Sequence, residues 1–360
     1  MYKSAFILIL LAFSCAGKGL MAQYSNKQID SLLNNATIES LMEGNYNASI
    51  ELYKIAQKAA RQNNYQLGVA KTYLLIGEIH HLQADWTTSM LYLDTAAFEM
   101  AGINNIALQV RILTEQGRNY ERMFFDNKAI ANFDKALALT EQIKKQDVKT
   151  RNFQHIYTLQ ASMYERRKNI PQYFSAIEKA YHIDPNPMVA SRMTRYFLLY
   201  NKNIDSARAY IEKANKMWET GIYSNYHRSV MLRNHGLYYF TIEKYDEALA
   251  LYKESLALSQ KMHFKDEEVL TYKLLAEAEA KIKNKKLGDT SVEKYELLRD
   301  SLARNADSSI NKIIKKEQKQ VQHAQQVQKK QSQLWLYGLA IISLGIVVAG
   351  YLKIKRKSSV

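Results

Sequence analysis

The chain has 360 residues with 13 glycines and only three prolines, and Lys plus Arg exceed Asp plus Glu by 15. So few helix breakers argue against a strand-and-turn fold and against a low-complexity chain, and point to an almost wholly helical protein. The single cysteine, Cys15, excludes a disulfide framework, so the fold must rest on a large core of its own.

At the start, Lys3 precedes the apolar stretch 5–13. That stretch is too short to span a bilayer, and small residues follow it, as in a secretory signal. Residues 1–22 are therefore expected to be a signal peptide, cleaved after Ala22 or after Ala16. Cys15 leaves a lipoprotein signal open, although Ala12 and Phe13 stand where such a signal carries Leu and a small residue. A chain cut at either site has no cysteine, and removal of 1–22 with Lys3 and Lys18 leaves a net charge of +13.

Residues 23–288 carry an internal repeat. In chain order the copies read Gly44, Tyr46, Ser49, Tyr53, Ala56; then Tyr73, Gly77, Trp86, Ser89, Leu93, Ala96; then Leu113, Gly117, Tyr120, Ala129, Phe133, Ala136. Tyr157, Ala161, Tyr164, Ile177 and Ala180 follow, ending in Asp184 and Pro185, and Ala207, Ile211 and Ala214 mark the next copy. The clearest copy runs from Leu232 through Gly236, Tyr239, Tyr245 and Ala248 to Tyr252. A degenerate unit surrounds Tyr272 and Ala276. Positions equivalent to Gly236 fall at 77, 117, 161, 195, 236 and 276. Glycine inside a helix costs about 0.5–1 kcal/mol relative to alanine, so Gly77, Gly117 and Gly236 need a packing reason. A small residue on the first helix of a pair lets the second approach, while tyrosine bodies fill the wider gaps and their hydroxyls reach a polar rim.

This pattern resembles the tetratricopeptide repeat, a helix pair with a large residue, then Gly or Ala, then Tyr on the first helix, and Ala, an aromatic and Ala on the second. The resemblance implies an all-α solenoid of six to seven units, most of them longer than the usual ~34 residues because the helices carry extra turns. It also implies that the exposed faces of the first helices line a concave groove. Transferring the repeat frame puts Lys71, Glu78, Arg111, Arg118, Arg122, Arg166, Arg192, Tyr196 and Arg233 on that wall. Arginine forks bind carboxylates in two-toothed fashion, which suits an acidic or C-terminal peptide. Solvated arginines paired with acids such as Glu121 and Glu165 account for the same residues.

No catalytic signature is present: no phosphate loop, no GxSxG, no HExxH. His80 and His81 are adjacent and cannot form an i, i+4 metal pair. His155, His182, His227, His235, His263 and His323 are scattered and are expected at the surface or at caps. The chain is thus expected to be no enzyme and to need no cofactor or metal.

Residues 289–333 read as an amphipathic connector helix. Val292, Tyr295, Leu298 and Leu302 fall on one face, and Ile310, Ile313, Ile314, Val321, Ala324 and Val327 continue a thin seam in a Lys- and Gln-rich background. A coiled coil joining two chains into a homodimer and a single solvated helix are equally open. Sedimentation of a soluble fragment ending at Gln333 separates them. Residues 334–352 are 19 uncharged, largely apolar residues, which as a helix reach roughly 28 Å and match a bilayer's hydrocarbon core. Trp335, Tyr337 and Tyr351 sit near its ends, and the basic tail 353–360 favours a cytoplasmic C-terminus.

The order of parts resembles the sensory half of membrane-bound regulators of Bacteroidetes-type bacteria: signal peptide, repeat array, a closing helix with Arg-Asp-Ser-Leu at 299–302, connector and one span. Those relatives continue into a kinase or DNA-binding output. Two functions are therefore expected of such a chain. One is an inner-membrane, single-pass scaffold with its bulk in the periplasm, holding a protein or peptide partner in its groove. The other is a signal-transduction component whose output lies elsewhere. An exported domain has no nucleic acid to meet, despite the basic balance.

Overall fold

The computed structural model describes residues 24–283, 290–316 and 318–319, and every regular element among them is helical. The expected signal peptide (1–22), span (334–352) and tail (353–360) lie outside the described residues, as does the connector beyond residue 319. Among the described residues no helix is long and apolar enough to cross a membrane. The chain divides into two compact units, Met1–Ala306 and Asp307–Val360. Of the second, residues 307–316 and 318–319 are helical.

In the first unit the helices are α1 (Asn26–Glu43), α2 (Tyr46–Gln62), α3 (Gln66–Leu82), α4 (Trp86–Glu99), α5 (Ile106–Arg122), α6 (Asp126–Thr140), α7 (Gln146–Arg166), α8 (Ile170–Ile183), α9 (Pro187–Tyr196), α10 (Ile204–Thr220), α11 (Asn225–Thr241), α12 (Tyr245–Lys261) and α13 (Lys265–Lys283). A further helical stretch covers 290–306. Its residues Val292, Tyr295, Leu298 and Leu302 are half-buried while 293, 294, 296, 297, 299 and 300 are exposed.

Local chemistry sets the helix ends. Ser25 and Gln28 form a reciprocal capping box at α1. Asp85, Asn105, Asn186 and Asn203 each accept a backbone N–H of the following first turn. Pro187 occupies the first position of α9, where its missing N–H is no loss. Within each pair the turn carries one left-handed residue: Gly44, Ala84, Phe124, Lys168, Lys202 or Glu243. These positions repeat at nearly the spacing of the sequence motif.

Helices α1/α2, α3/α4, α5/α6, α7/α8, α9/α10 and α11/α12 form hairpins that stack with α13 into a solenoid. No single hairpin can bury its own apolar face, so stability comes from the stack. Tyr53, Phe133, Tyr173 and Tyr252 are fully buried between helices. Each of the motif glycines faces such a side chain or its equivalent. A Cβ would lie 3.2 Å from Leu93 at Gly77, 2.8 Å from Phe133 at Gly117 and 2.5 Å from Tyr252 at Gly236. Close approach, rather than backbone freedom, is what these glycines supply. Gly236→Ala is accordingly expected to lose about 1–3 kcal/mol net of the better helix propensity, and Gly77→Ala to be near neutral. Urea denaturation of both variants checks this; equal stabilities would mean that the Tyr252 ring swings aside freely.

Two sequence expectations are corrected. The tyrosine hydroxyls do not all reach a polar rim, since that of Tyr252 is buried without a hydrogen-bond partner. The packing position of the α9 unit is Thr194, fully buried, and not residue 195. Arg195 instead pairs with Glu165 at 2.7 Å. The cause is a π-helical turn, Phe197–Asn201, which follows α9 and adds a residue before the left-handed Lys202. Counting back from the turn therefore lands one position late.

The solenoid turns far enough for its first and last hairpins to touch. Tyr46 Oη donates to the Met262 carbonyl at 2.6 Å, and Asn225 Nδ2 donates to the Met42 carbonyl at 2.6 Å. Gly44, at φ +73°, leaves room there that a Cβ would fill, 3.0 Å from the Lys261 carbonyl oxygen.

Candidate functional site

The first helices of successive pairs face inward, and together they enclose a cavity of about 410 Å³. Its wall combines apolar side chains, among them Leu75, Ile79, Leu159, Met188 and Phe264, with a belt of charge. Four arginines (Arg111, Arg118, Arg122, Arg192) and three glutamates (Glu78, Glu115, Glu121) contribute to that belt. The volume falls in the range of small-molecule and peptide-anchor sites.

Most of the belt is internally paired. Arg111 Nε and Nη2 donate to the two oxygens of Glu78 at 2.7 and 2.6 Å. Arg118 Nη1 donates to Glu115 at 3.2 Å, and His155 Nε2 lies 3.3 Å from the other Glu115 oxygen. Arg122 reaches Asp266 on α13 at 3.1 Å and Glu121 at 3.5 Å. The Arg122–Asp266 pair ties α5 to the far end of the array.

Burial sets the electrostatics. Burial alone would push the Glu115 carboxyl up, but Arg118, then the bond and charge of His155, and the field of His81 hold it well below the usual carboxylate range. Burial pushes Glu78 up, against the pull of Arg111 and with the help of the Glu115 charge. His227, whose Nδ1 lies 2.7 Å from Ser224 Oγ, is lowered to about 4 by burial and then by the positive charges of His155 and Arg192.

Of the residues predicted from the repeat frame, Glu78, Arg111, Arg118, Arg122 and Arg192 meet in this one cavity. The others do not line it. Lys71 is paired with Asp30 at 2.8 Å. Arg166 donates to Glu121 at 2.9 Å and to Asp126, and its guanidinium lies over the Phe124 ring. Tyr196 stacks on Phe174 with ring centroids 4.4 Å apart. Arg233 is buried against Glu267 at 2.8 Å, which removes it from any groove.

Sequence reasoning missed His155, Ser162 and His227, all of which line the cavity. The signal for two of them was present. His155 stands six residues before Ala161, as Arg111 stands six before Gly117, and Ser162 follows Ala161 as Glu78 follows Gly77. His235 departs from the expectation of a surface or capping histidine, since it is buried, and His81 is buried too. His81 Nδ1 lies 2.7 Å from Asn119 Oδ1, whose amide donates to Ser89 Oγ, which donates to the Gly77 carbonyl. Among the described residues no group of three His, Cys, Asp or Glu could hold a metal ion.

No family model matches the chain, and no curated protein matches it in sequence. Solved structures resemble it in fold. The Rap conjugation gene regulator of plasmid pLS20, in complex with the Phr* peptide, aligns at a TM-score of 0.59 and 16% identity over 81% of this chain and 80% of that one. The C-terminal part of a TPR repeat-containing protein from Cytophaga hutchinsonii aligns at a TM-score of 0.36 and 15% identity, covering 78% and 93%. A tetratricopeptide repeat protein from Parabacteroides merdae aligns at 0.33 and 14%, covering 68% and 99%. The chain is an all-α helical repeat solenoid, TPR-like in fold.

Proposed function

We propose that this chain is a membrane-anchored periplasmic scaffold that captures a protein or peptide partner on the inner wall of its solenoid. The observation that carries the reading is the cavity, where five of the nine frame-predicted residues converge on a wall of mixed apolar and charged character. Side chains placed this way recognise extended chains through pockets for apolar groups and forks for carboxylates. The Rap regulator, which shares the fold, was solved with a peptide, and this makes a peptide the first ligand to test. The membrane and periplasmic parts of the proposal rest on residues 1–22 and 334–352 of the sequence. The proposal assigns the chain no reaction, because its sequence carries no catalytic signature.

Capture from crosslinked membranes by the tagged full-length chain tests the reading. Charge reversal at Arg192 is expected to abolish capture while leaving the helical circular dichroism intact; unchanged capture removes the inner wall from the binding surface. Protease added outside spheroplasts is expected to digest the repeats, and protection would place them in the cytoplasm. A second reading, a signalling component whose output is supplied by a partner, is favoured by the amphipathic face of the 290–306 helix. Deletion of the gene without any transcriptional response would discard it.

A further inference from the structure

Among the described residues, one cation of the cavity wall is left uncompensated. Arg111 is matched by Glu78, Arg118 by Glu115, and Arg122, Arg166 and Arg167 share Glu121, Asp126 and Asp266. Among the described residues Arg192 has no carboxylate within ion-pair distance. Its one side-chain hydrogen bond among the described residues runs from Nη1 to Ser162 Oγ, and its Nε is buried with no partner there. Glu165 feels the Arg192 charge, but the hydrogen bonds of that carboxylate come from Arg195 and Tyr200. A buried guanidinium N–H without an acceptor carries a desolvation cost that a folded protein normally avoids. The guanidinium belongs to a residue that lines the cavity, as do Ser162, His155 and His227.

We propose that Arg192 is the anchor for a carboxylate of the bound peptide, with Ser162 orienting the guanidinium. This deepens the peptide reading above and rests on it. The charge balance selects the chemistry. One guanidinium is unmatched, so a monoanion neutralises the wall, whereas a phosphate dianion would leave it with excess negative charge facing Glu115 and Glu121. A carboxylate also fits the planar fork in two-toothed geometry. The apolar residues of the same wall, Leu159, Met188 and Phe264 among them, suit the body of a hydrophobic residue beside the anion. Ser162 is a positioning residue in this arrangement. It touches Arg192, not the ligand.

The test presents the full-length chain with three pools of N-acetylated random pentapeptides and reads the retained fraction by mass spectrometry. The first pool has free C-termini and no Asp or Glu; the second has C-terminal amides with one Glu; the third has C-terminal amides and no acid. Retention of the first or second pool at about tenfold or more over the third is expected, consistent with one charge-assisted pair. Preference for the first identifies the chain terminus as the source of the carboxylate, and preference for the second a side chain. Arg192→Gln is expected to erase the preference and Arg192→Lys to restore part of it. Ser162→Ala is expected to weaken the preference without abolishing it. Equal retention of all three pools, or a preference that survives Arg192→Gln in a folded variant, overturns the anchor while leaving the peptide reading intact. Retention of no pool overturns both.

Discussion

Glu267→Gln is expected to lower the stability of the repeat array by about 3–5 kcal/mol, the cost of leaving a buried charge without its partner. Arg233 Nε donates to Glu267 at 2.8 Å, and the two side chains are only 7% and 5% exposed. The pair joins α11 to α13 and has no solvent to fall back on. Replacing one member strands the other, whereas replacing both by apolar residues removes the desolvation cost together with the attraction. The double variant Arg233→Met, Glu267→Met is therefore expected to recover to within about 1 kcal/mol of the parent. Urea denaturation of Arg233→Met, Glu267→Met and the double variant closes the cycle. Losses that simply add would show that the pair is not coupled. The repeat frame puts Arg233 on the groove, so the same variants separate the roles: stability should fall, while peptide retention per folded molecule should not.

Acidification from pH 7 to pH 5 is expected to cost the fold several kcal/mol through its buried histidines. Burial, then the charge of Arg228, lowers His235 from 6.5 to about 4. His227 is lowered to a similar value, and His81 well below its usual range. In each case the unfolded chain takes up a proton that the folded chain refuses. The stability is thus fully present above about pH 6.5 and is lost progressively as pH falls toward 4. For His235, only 5% exposed, the loss at pH 5 is about 2 kcal/mol. Glu115, held below the usual carboxylate range, adds its own loss only at lower pH. Thermal unfolding at pH 7 and pH 5 measures the slope, and His235→Gln should flatten it by about 2 kcal/mol. An unaltered slope would mean that water reaches the His235 ring.

The repeat architecture was legible in the sequence because its signal is distributed. Small residues at 77, 117, 161 and 236 recur with aromatic or aliphatic partners sixteen positions on, and each pair is one helix–helix contact. The site was only half legible. The frame found Arg111, Arg118 and Arg122, because charged residues on the inner face stand out against an apolar register. It could not distinguish Arg192 from Arg166 or Arg233, since pairing with Glu121, Asp126 or Glu267 is a matter of three-dimensional proximity across units 34 to 45 residues apart. A π-turn is equally invisible, because a single inserted residue leaves no mark on composition. Its effect was to move the packing position from 195 to 194.

The hydrogen bond from Tyr46 to Met262 spans 216 residues. In an open stack each hairpin feels only its neighbours, and faults stay local, as along a row of weakly linked springs. Joining the two ends turns the row into a loop. Closing it carries an entropic cost that grows only slowly with length, about 5 kcal/mol for a span of this size, and in return the two terminal hairpins cap one another. A lesion at the seam, such as Gly44→Ala, is then shared by both ends of the chain: amide exchange should quicken in α12 as well as in α2, although two hundred residues of sequence lie between them.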